Sequence, residues 1–112
     1  SIIGITTSLV RHAAAGTGAY TASKAGVEAL IRSMAKELAG RNVRVNAVAP
    51  GSVDTELFHS GKTEEAKARS AALSPFNRIG STAEVAEVVS FLASDKASWV
   101  HGQVIQPNGG MV

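Results

Sequence analysis

Residues 20–51, YTASKAGVEALIRSMAKELAGRNVRVNAVAPG, hold two kinds of periodicity in a row, and that change sets the fold class. In the first part, Val27, Leu30, Ile31, Met34 and Leu38 recur at helical spacing and define one apolar face. Glu28, Arg32 and Lys36 share another face, where Glu28 and Arg32 are placed to pair one turn apart. Gly40 is the expected helix stop. Val43 to Ala49 then reads as a short buried strand, broken by Pro50–Gly51. A helix running into a buried strand is half of a βαβ unit.

The flanks extend the pattern. Upstream, Ile2, Ile3 and Ile5 form a β-branched run expected to be a strand buried on both faces, ending in Thr6, Thr7 and Ser8. A loop rich in Gly and Ala follows, from His12 to Gly18. Downstream, Ser52 to Pro75 is polar and mixed, with a short helix expected after Thr63, where Glu64 and Glu65 suit the positive end of the helix dipole. Ser81 and Glu84 form a capping box ahead of Val85, Val88, Val89 and Leu92. Gly102 to Gln106 reads as a last strand, and Asn108-Gly109-Gly110 as a tight turn. The order strand, helix, strand, helices, strand predicts an α/β protein with a parallel sheet and right-handed crossovers. About three strands are visible where such sheets usually have ~5–6. The chain also opens on Ser1, directly into an apolar run. Both features lead to the expectation that residues 1–112 are the C-terminal portion of one longer domain.

Bulk properties narrow the function. The chain is 45% hydrophobic and 18% charged, ordinary for a globular protein. Its eleven basic residues are interleaved with nine acids and form no stripe, so nucleic-acid binding is not expected despite the net charge of +2. No apolar run reaches the ~20 residues a membrane helix needs, and no membrane partner is expected. The absence of cysteine excludes thiolate catalysis, disulfides and cysteine-ligated zinc, and fits an intracellular, cytoplasmic protein. His12, His59 and His101 share no ligand spacing; no metal is expected, and they read as surface or loop residues. Trp99 reads as core or subunit packing.

The chemistry is expected at the carboxyl edge of the sheet, where open α/β sheets gather their ligands. Tyr20 and Lys24 lie one helical turn apart on the same face. A free phenol titrates near ~10, and a neighbouring ammonium favours its phenolate, so the pair makes an acid/base group. A Tyr and a Lys at this spacing also occur by chance on solvated helix faces. Ser8 lies twelve residues before Tyr20 and Thr7 thirteen; either hydroxyl could hold a substrate oxygen, or simply satisfy backbone groups at a strand end.

Taken together, the motifs resemble those of the short-chain dehydrogenases/reductases. Tyr20-Thr-Ala-Ser-Lys24-Ala-Gly-Val is similar to the family's Y-x-x-x-K signature. Ile2 to Ser8 resembles the strand ending at the catalytic serine. Val45-Asn-Ala-Val-Ala-Pro-Gly51 with Ser52-Val-Asp-Thr55 resembles the strand, turn and P-G-x-x-x-T element. Arg78-Ile-Gly80, Glu84-Val-Ala, Phe91-Leu-Ala-Ser94 and the Gly102 to Gly110 stretch resemble the late helix and last strand. The likeness runs in order along essentially the whole chain. It implies the C-terminal half of a Rossmann-like doubly wound sheet and an oxidoreductase exchanging a hydride with a small carbonyl or alcohol substrate. It implies Tyr20 as general acid/base, Lys24 acidifying Tyr20 and binding the nicotinamide ribose, and Ser8, preferred over Thr7, positioning the substrate oxygen. Tyr20, Lys24, Pro50, Gly51, Val53 and Thr55 are the implied contacts to NADP or NAD, with NADP preferred. Ser52 to Pro75 is the implied substrate cover. The full-length protein is expected to be a homodimer or homotetramer. The tyrosine–lysine spacing favours carbonyl over enoyl reduction. The glycine-rich phosphate turn and the N-A-G element of the family's first half are not in these residues. The competing expectation is therefore a catalytically inactive fragment or oligomerisation module, prone to aggregate through an unpaired strand edge.

Overall fold

A computed structural model describes all residues from Ser1 to Val112. The elements are β1 (Ile2–Ile5), α1 (Leu9–His12), α2 (Gly18–Leu38), β2 (Val45–Val48), α3 (Glu56–His59), α4 (Glu64–Ala72), α5 (Thr82–Ala93) and β3 (Val104–Ile105). The sheet order is β1-β2-β3 and both pairings are parallel. Ile2 to Ile5 align with Val45 to Val48, and Ala47 and Val48 align with Val104 and Ile105. Parallel strands with helices packed against them make a partial Rossmann-like fold.

Helices cover both faces, and β2 lies between them with all four residues buried. Side chains alternate across a strand. Val45 and Ala47 pack with Ile31 and Ala35 of α2, while Val48 packs with Leu92 of α5 and Ala97. Asn46 is the polar exception in the central strand. Its amide donates to the Val100 carbonyl (2.9 Å) and its oxygen accepts from Gln103 N–H (3.0 Å), so its burial leaves nothing unpaired. At Gly4 an added Cβ would lie 2.9 Å from Ile31 Cδ1, so the missing side chain lets α2 approach β1 closely.

The caps follow the sequence. Ser81 Oγ accepts from Glu84 N–H and the Glu84 carboxylate accepts from Ser81 N–H, completing the capping box of α5. Thr63 caps α4 through Ala66 N–H. Four expectations are corrected. β1 is buried only in part: Ile3 packs against the Leu92 cluster and Gly4 against α2, while Ile2 and Ile5 at its ends are exposed. The helix stop is not Gly40; α2 ends at Leu38, a 3₁₀ turn spans Ala39–Arg41, and Asn42 takes the left-handed conformation (φ 57°). Leu30 lies outside the buried stripe, whereas Glu28 lies inside it. Trp99 is 98% exposed and is not part of the core. No helix is long and apolar enough to cross a membrane.

Candidate active site

Three chain segments meet at the carboxyl edge of the sheet. The end of β1 delivers Thr6, Thr7 and Ser8. The first turns of α2 deliver Tyr20 and Lys24. The turn after β2 delivers Pro50 to Thr55. Thr7, Ser8, Tyr20, Pro50, Gly51, Val53 and Thr55 line one cavity of about 500 Å³, and Lys24 does not. Leu9, Leu57, Phe58, Leu73 and Met111 supply its apolar wall, and no carboxylate lines it.

Tyr20 is 48% exposed and opens onto this cavity. The Lys24 ammonium lies 5.9 Å from the centroid of the Tyr20 ring, within range of a cation–π attraction. One of its three protons goes to the Ile5 carbonyl at the end of β1 (3.0 Å).

The two candidate hydroxyls have different surroundings. Ser8 is fully buried. Its Oγ donates to the Ala49 carbonyl (2.8 Å) and accepts from Asn108 Nδ2 (2.9 Å). A hydroxyl has one proton, so that of Ser8 is already used. Thr7 Oγ1 accepts from Leu9 N–H (3.3 Å), and its own proton makes no hydrogen bond within the protein.

The turn after β2 is held from both sides. Gly51 N–H donates to the Pro107 carbonyl, and a Cβ at Gly51 would lie 2.9 Å from Asn108 Cβ. Only glycine fits that approach. Val53 and Gly80 form a parallel bridge, with Asp54 N–H donating to Gly80 and Gly80 N–H to Ser52. Thr55 Oγ1 caps α3 by accepting from Phe58 N–H (3.1 Å). In the covering segment His59 Nε2 stands 2.6 Å from Asp54 Oδ1.

Two residues of this region escaped the sequence reading. Asn108 was legible only as part of a turn, yet it joins Ser8 and Gly51. Glu28 looked like an exposed helix partner, yet it is 3% exposed. Two of the surface or loop histidines make contacts that their sequence did not show. His12 lines the cavity. His101 Nδ1 accepts from Val45 N–H (3.1 Å) and its Nε2 donates to the Ala35 carbonyl (2.7 Å), tying β2 to α2.

Comparison with known proteins gives the class. Residues 1–112 match a family model described as enoyl-(acyl carrier protein) reductase. The chain is 49% identical over 111 residues to an NADPH-dependent aldehyde reductase-like protein, chloroplastic, of Arabidopsis thaliana, covering 99% of this chain and 41% of that protein. It is 48% identical over 111 residues to a short-chain type dehydrogenase/reductase of Picea abies, covering 99% of this chain and 41% of that protein. It is 49% identical over 114 residues to the 3-oxoacyl-[acyl-carrier-protein] reductase FabG of Thermotoga maritima, covering all of this chain and 45% of that protein. Among solved structures, the angucycline C-6 ketoreductase LanV with bound NADP superposes with a TM-score of 0.91 at 35% identity, covering 98% of this chain and 42% of that one. The chain belongs to the short-chain dehydrogenase/reductase family. It spans about two fifths of the length of the relatives it matches.

Proposed function

We propose that this chain is the C-terminal portion of a dinucleotide-binding domain in an NADP(H)-dependent carbonyl reductase. The carrying observation is that a tyrosine, a hydroxyl with an uncommitted proton and a backbone turn closed to side chains line a single cavity at the sheet's carboxyl edge. NADP is preferred because two relatives from Arabidopsis thaliana are named as NADPH-dependent and LanV was solved with NADP.

The residues fit such a cofactor. Lys24 keeps two protons free beyond its bond to Ile5, enough to hold a pair of ribose hydroxyls. Pro50, Gly51 and Val53 offer a flat, largely apolar wall, and Thr55 a hydroxyl beside it. Bound there, the dinucleotide would supply the hydride. The protein's own part is proton transfer and orientation. Tyr20 donates its phenolic proton to the substrate oxygen in reduction and takes it back in oxidation. The Lys24 ammonium stabilises the phenolate left behind. Thr7 donates a hydrogen bond to the same substrate oxygen and sets its position. Thr7 replaces Ser8 in this role because the Ser8 proton is held by Ala49. The apolar side chains of the covering segment and the lack of a lining carboxylate favour a carbonyl compound with an apolar body.

The tyrosine–lysine spacing and the names of the aldehyde and 3-oxoacyl reductase relatives support carbonyl over enoyl reduction. A homodimer or homotetramer is proposed for the full-length protein, with the exposed Trp99 as a candidate for subunit packing. We also infer that residues 1–112 alone do not turn over. The free flank of β1 has no strand partner, and Lys24 occupies its Ile5 carbonyl. The test is an assay of the full-length protein against aldehydes and ketones, following loss of NADPH absorbance. NADPH consumption with at least one apolar carbonyl is expected; no consumption across the panel contradicts the proposal.

A further inference from the structure

We propose that Glu28 is a positioning residue that holds the substrate hydroxyl of Thr7 in register with Tyr20; the inference rests on the carbonyl-reductase reading above. Glu28 lies in the middle of α2 and is 3% exposed. Taking a carboxylate out of water is costly unless charges and hydrogen bonds compensate it. Its compensation comes from three different places. Oε1 accepts from Arg11 NH1 of α1 (3.1 Å) and from Thr6 Oγ1 at the end of β1 (3.3 Å), whose single proton is shared with the Val48 carbonyl (3.4 Å). Oε2 lies 4.0 Å from Arg32 NH1, one turn further along α2.

Position makes this more than a buried ion pair. Tyr20, Lys24 and Glu28 succeed one another at four-residue steps along one face of α2. Lys24 bonds the Ile5 carbonyl and Glu28 the Thr6 hydroxyl, so two successive turns of the helix grip two successive residues of the strand end. The next residue is Thr7. Arg11 adds a third tie, pulling the short α1 turn that follows Thr7 onto the same carboxylate. The segment between Thr7 and Tyr20 has no other charged anchor to α2. The backbone on either side of Thr7 is held to β2, by Thr6 N–H on the Val48 carbonyl (2.8 Å) and Ser8 N–H on the Pro50 carbonyl (2.9 Å). The Glu28 ties therefore act on the spacing between this strand end and α2. Cutting them lets Tyr20 shift against Thr7 while the core of α2, β2 and α5 stays packed. An apolar side chain at position 28 could fill the space, but it could not hold both Thr6 and Arg11.

The test uses the full-length protein and four variants: Glu28→Gln, Arg11→Gln, Thr6→Val and, as a reference, Tyr20→Phe. Turnover, KM for NADPH, NADPH binding by fluorescence and thermal melting are measured for each. Positioning predicts that Glu28→Gln lowers kcat by roughly tenfold or more, counted per NADPH-binding site. KM for NADPH stays near the wild-type value, because Lys24 and the Pro50–Gly51 turn are untouched. Arg11→Gln and Thr6→Val should lower kcat in the same direction by smaller factors. They carry the test if Glu28→Gln does not fold. Wild-type kcat per site in the folded variants, with Tyr20→Phe inactive, overturns the role of Glu28 and leaves the enzyme reading intact. A purely structural role would lower the melting temperature and the number of binding sites without changing kcat per site, which also overturns it. Full activity in Tyr20→Phe overturns the parent reading and the positioning role with it.

Discussion

The side-chain amide of Asn108 donates to the hydroxyl of Ser8 at 2.9 Å, joining positions one hundred residues apart in the chain. The Ser8 proton continues to the Ala49 carbonyl, and Asn108 Oδ1 accepts from Gly110 N–H. Asn108 also presses its Cβ against Gly51. The ends of β1 and β2 and the C-terminal turn are thus locked around one buried hydroxyl, and two members of the lock, Ser8 and Gly51, line the cavity.

A stability cycle tests the lock. Ser8→Ala leaves both the Asn108 amide and the Ala49 carbonyl short of a partner, and should cost about 1–3 kcal/mol. Asn108→Ala should cost a similar amount. Because the two side chains share one hydrogen bond, the double variant should cost clearly less than the sum of the singles. Denaturant unfolding of the full-length protein measures all three; strict additivity would show that the contact contributes nothing.

Thr7 and Ser8 should separate by the kind of damage they cause. Thr7→Val keeps the side-chain shape and removes the cavity-lining hydroxyl whose proton is uncommitted. It should lower kcat by roughly 10²-fold, the scale of losing one preorganised donor, while the melting temperature falls less than for Ser8→Ala, since only the 3.3 Å bond from Leu9 N–H is lost. Ser8→Ala should mainly lower the melting temperature. Steady-state kinetics and melting curves on the same two variants check this, and the opposite pattern would return the substrate role to Ser8.

Lys24→Met should weaken NADPH binding as well as turnover, since the free protons of the ammonium are assigned to the ribose. Fluorescence titration with NADPH reads the affinity directly. An unchanged dissociation constant would remove Lys24 from the cofactor site.

The start of α5 carries a pH dependence of known sign. Arg78 grips Glu84 with two hydrogen bonds (2.9 and 2.6 Å), and Ser81 N–H adds a third. These bonds, that of Arg78 foremost, hold the Glu84 carboxyl at about 2, below its ordinary 4.5. The folded state therefore binds this proton less readily than the unfolded chain. The contribution of Glu84 to stability is complete above about pH 4.5 and fades as the pH falls towards 2. Glu84→Gln should lower the melting temperature at neutral pH, and the gap from wild type should shrink below pH 4. Both side chains are solvent-exposed, so the gap should be small and should narrow further in high salt.

Where one strong local rule acted, the chain could be read directly. The period of Val27, Ile31 and Leu38 marked α2, the Ser81–Glu84 box marked the start of α5, and Pro50–Gly51 marked the end of the buried strand. Those rules depend on neighbours in sequence. The features that escaped depend on distant partners. Glu28 looks like a surface acid until Arg11 and Thr6 fold over it. Asn108 looks like a turn residue until Ser8 arrives from the other end of the chain. The exposed ends of β1 were hidden because its isoleucines signal a strand but not how far the covering helices reach along it. Position Gly40 failed because a short 3₁₀ turn carried the chain two residues further, to an asparagine that tolerates the left-handed region. The candidate site was legible as a set of motifs. The choice between Thr7 and Ser8 was not, because it turns on where a single hydroxyl proton goes.

In the proposed mechanism, turnover depends on the phenolic proton of Tyr20. The most direct measurement is single-turnover reduction of a carbonyl substrate by the full-length protein and its Tyr20→Phe variant, each first saturated with NADPH. Only one oxygen atom is lost, so folding and NADPH binding should match wild type while the rate of NADPH oxidation falls by about 10²–10⁴-fold. A rate within a few-fold of wild type, with NADPH fully bound, would contradict the mechanism.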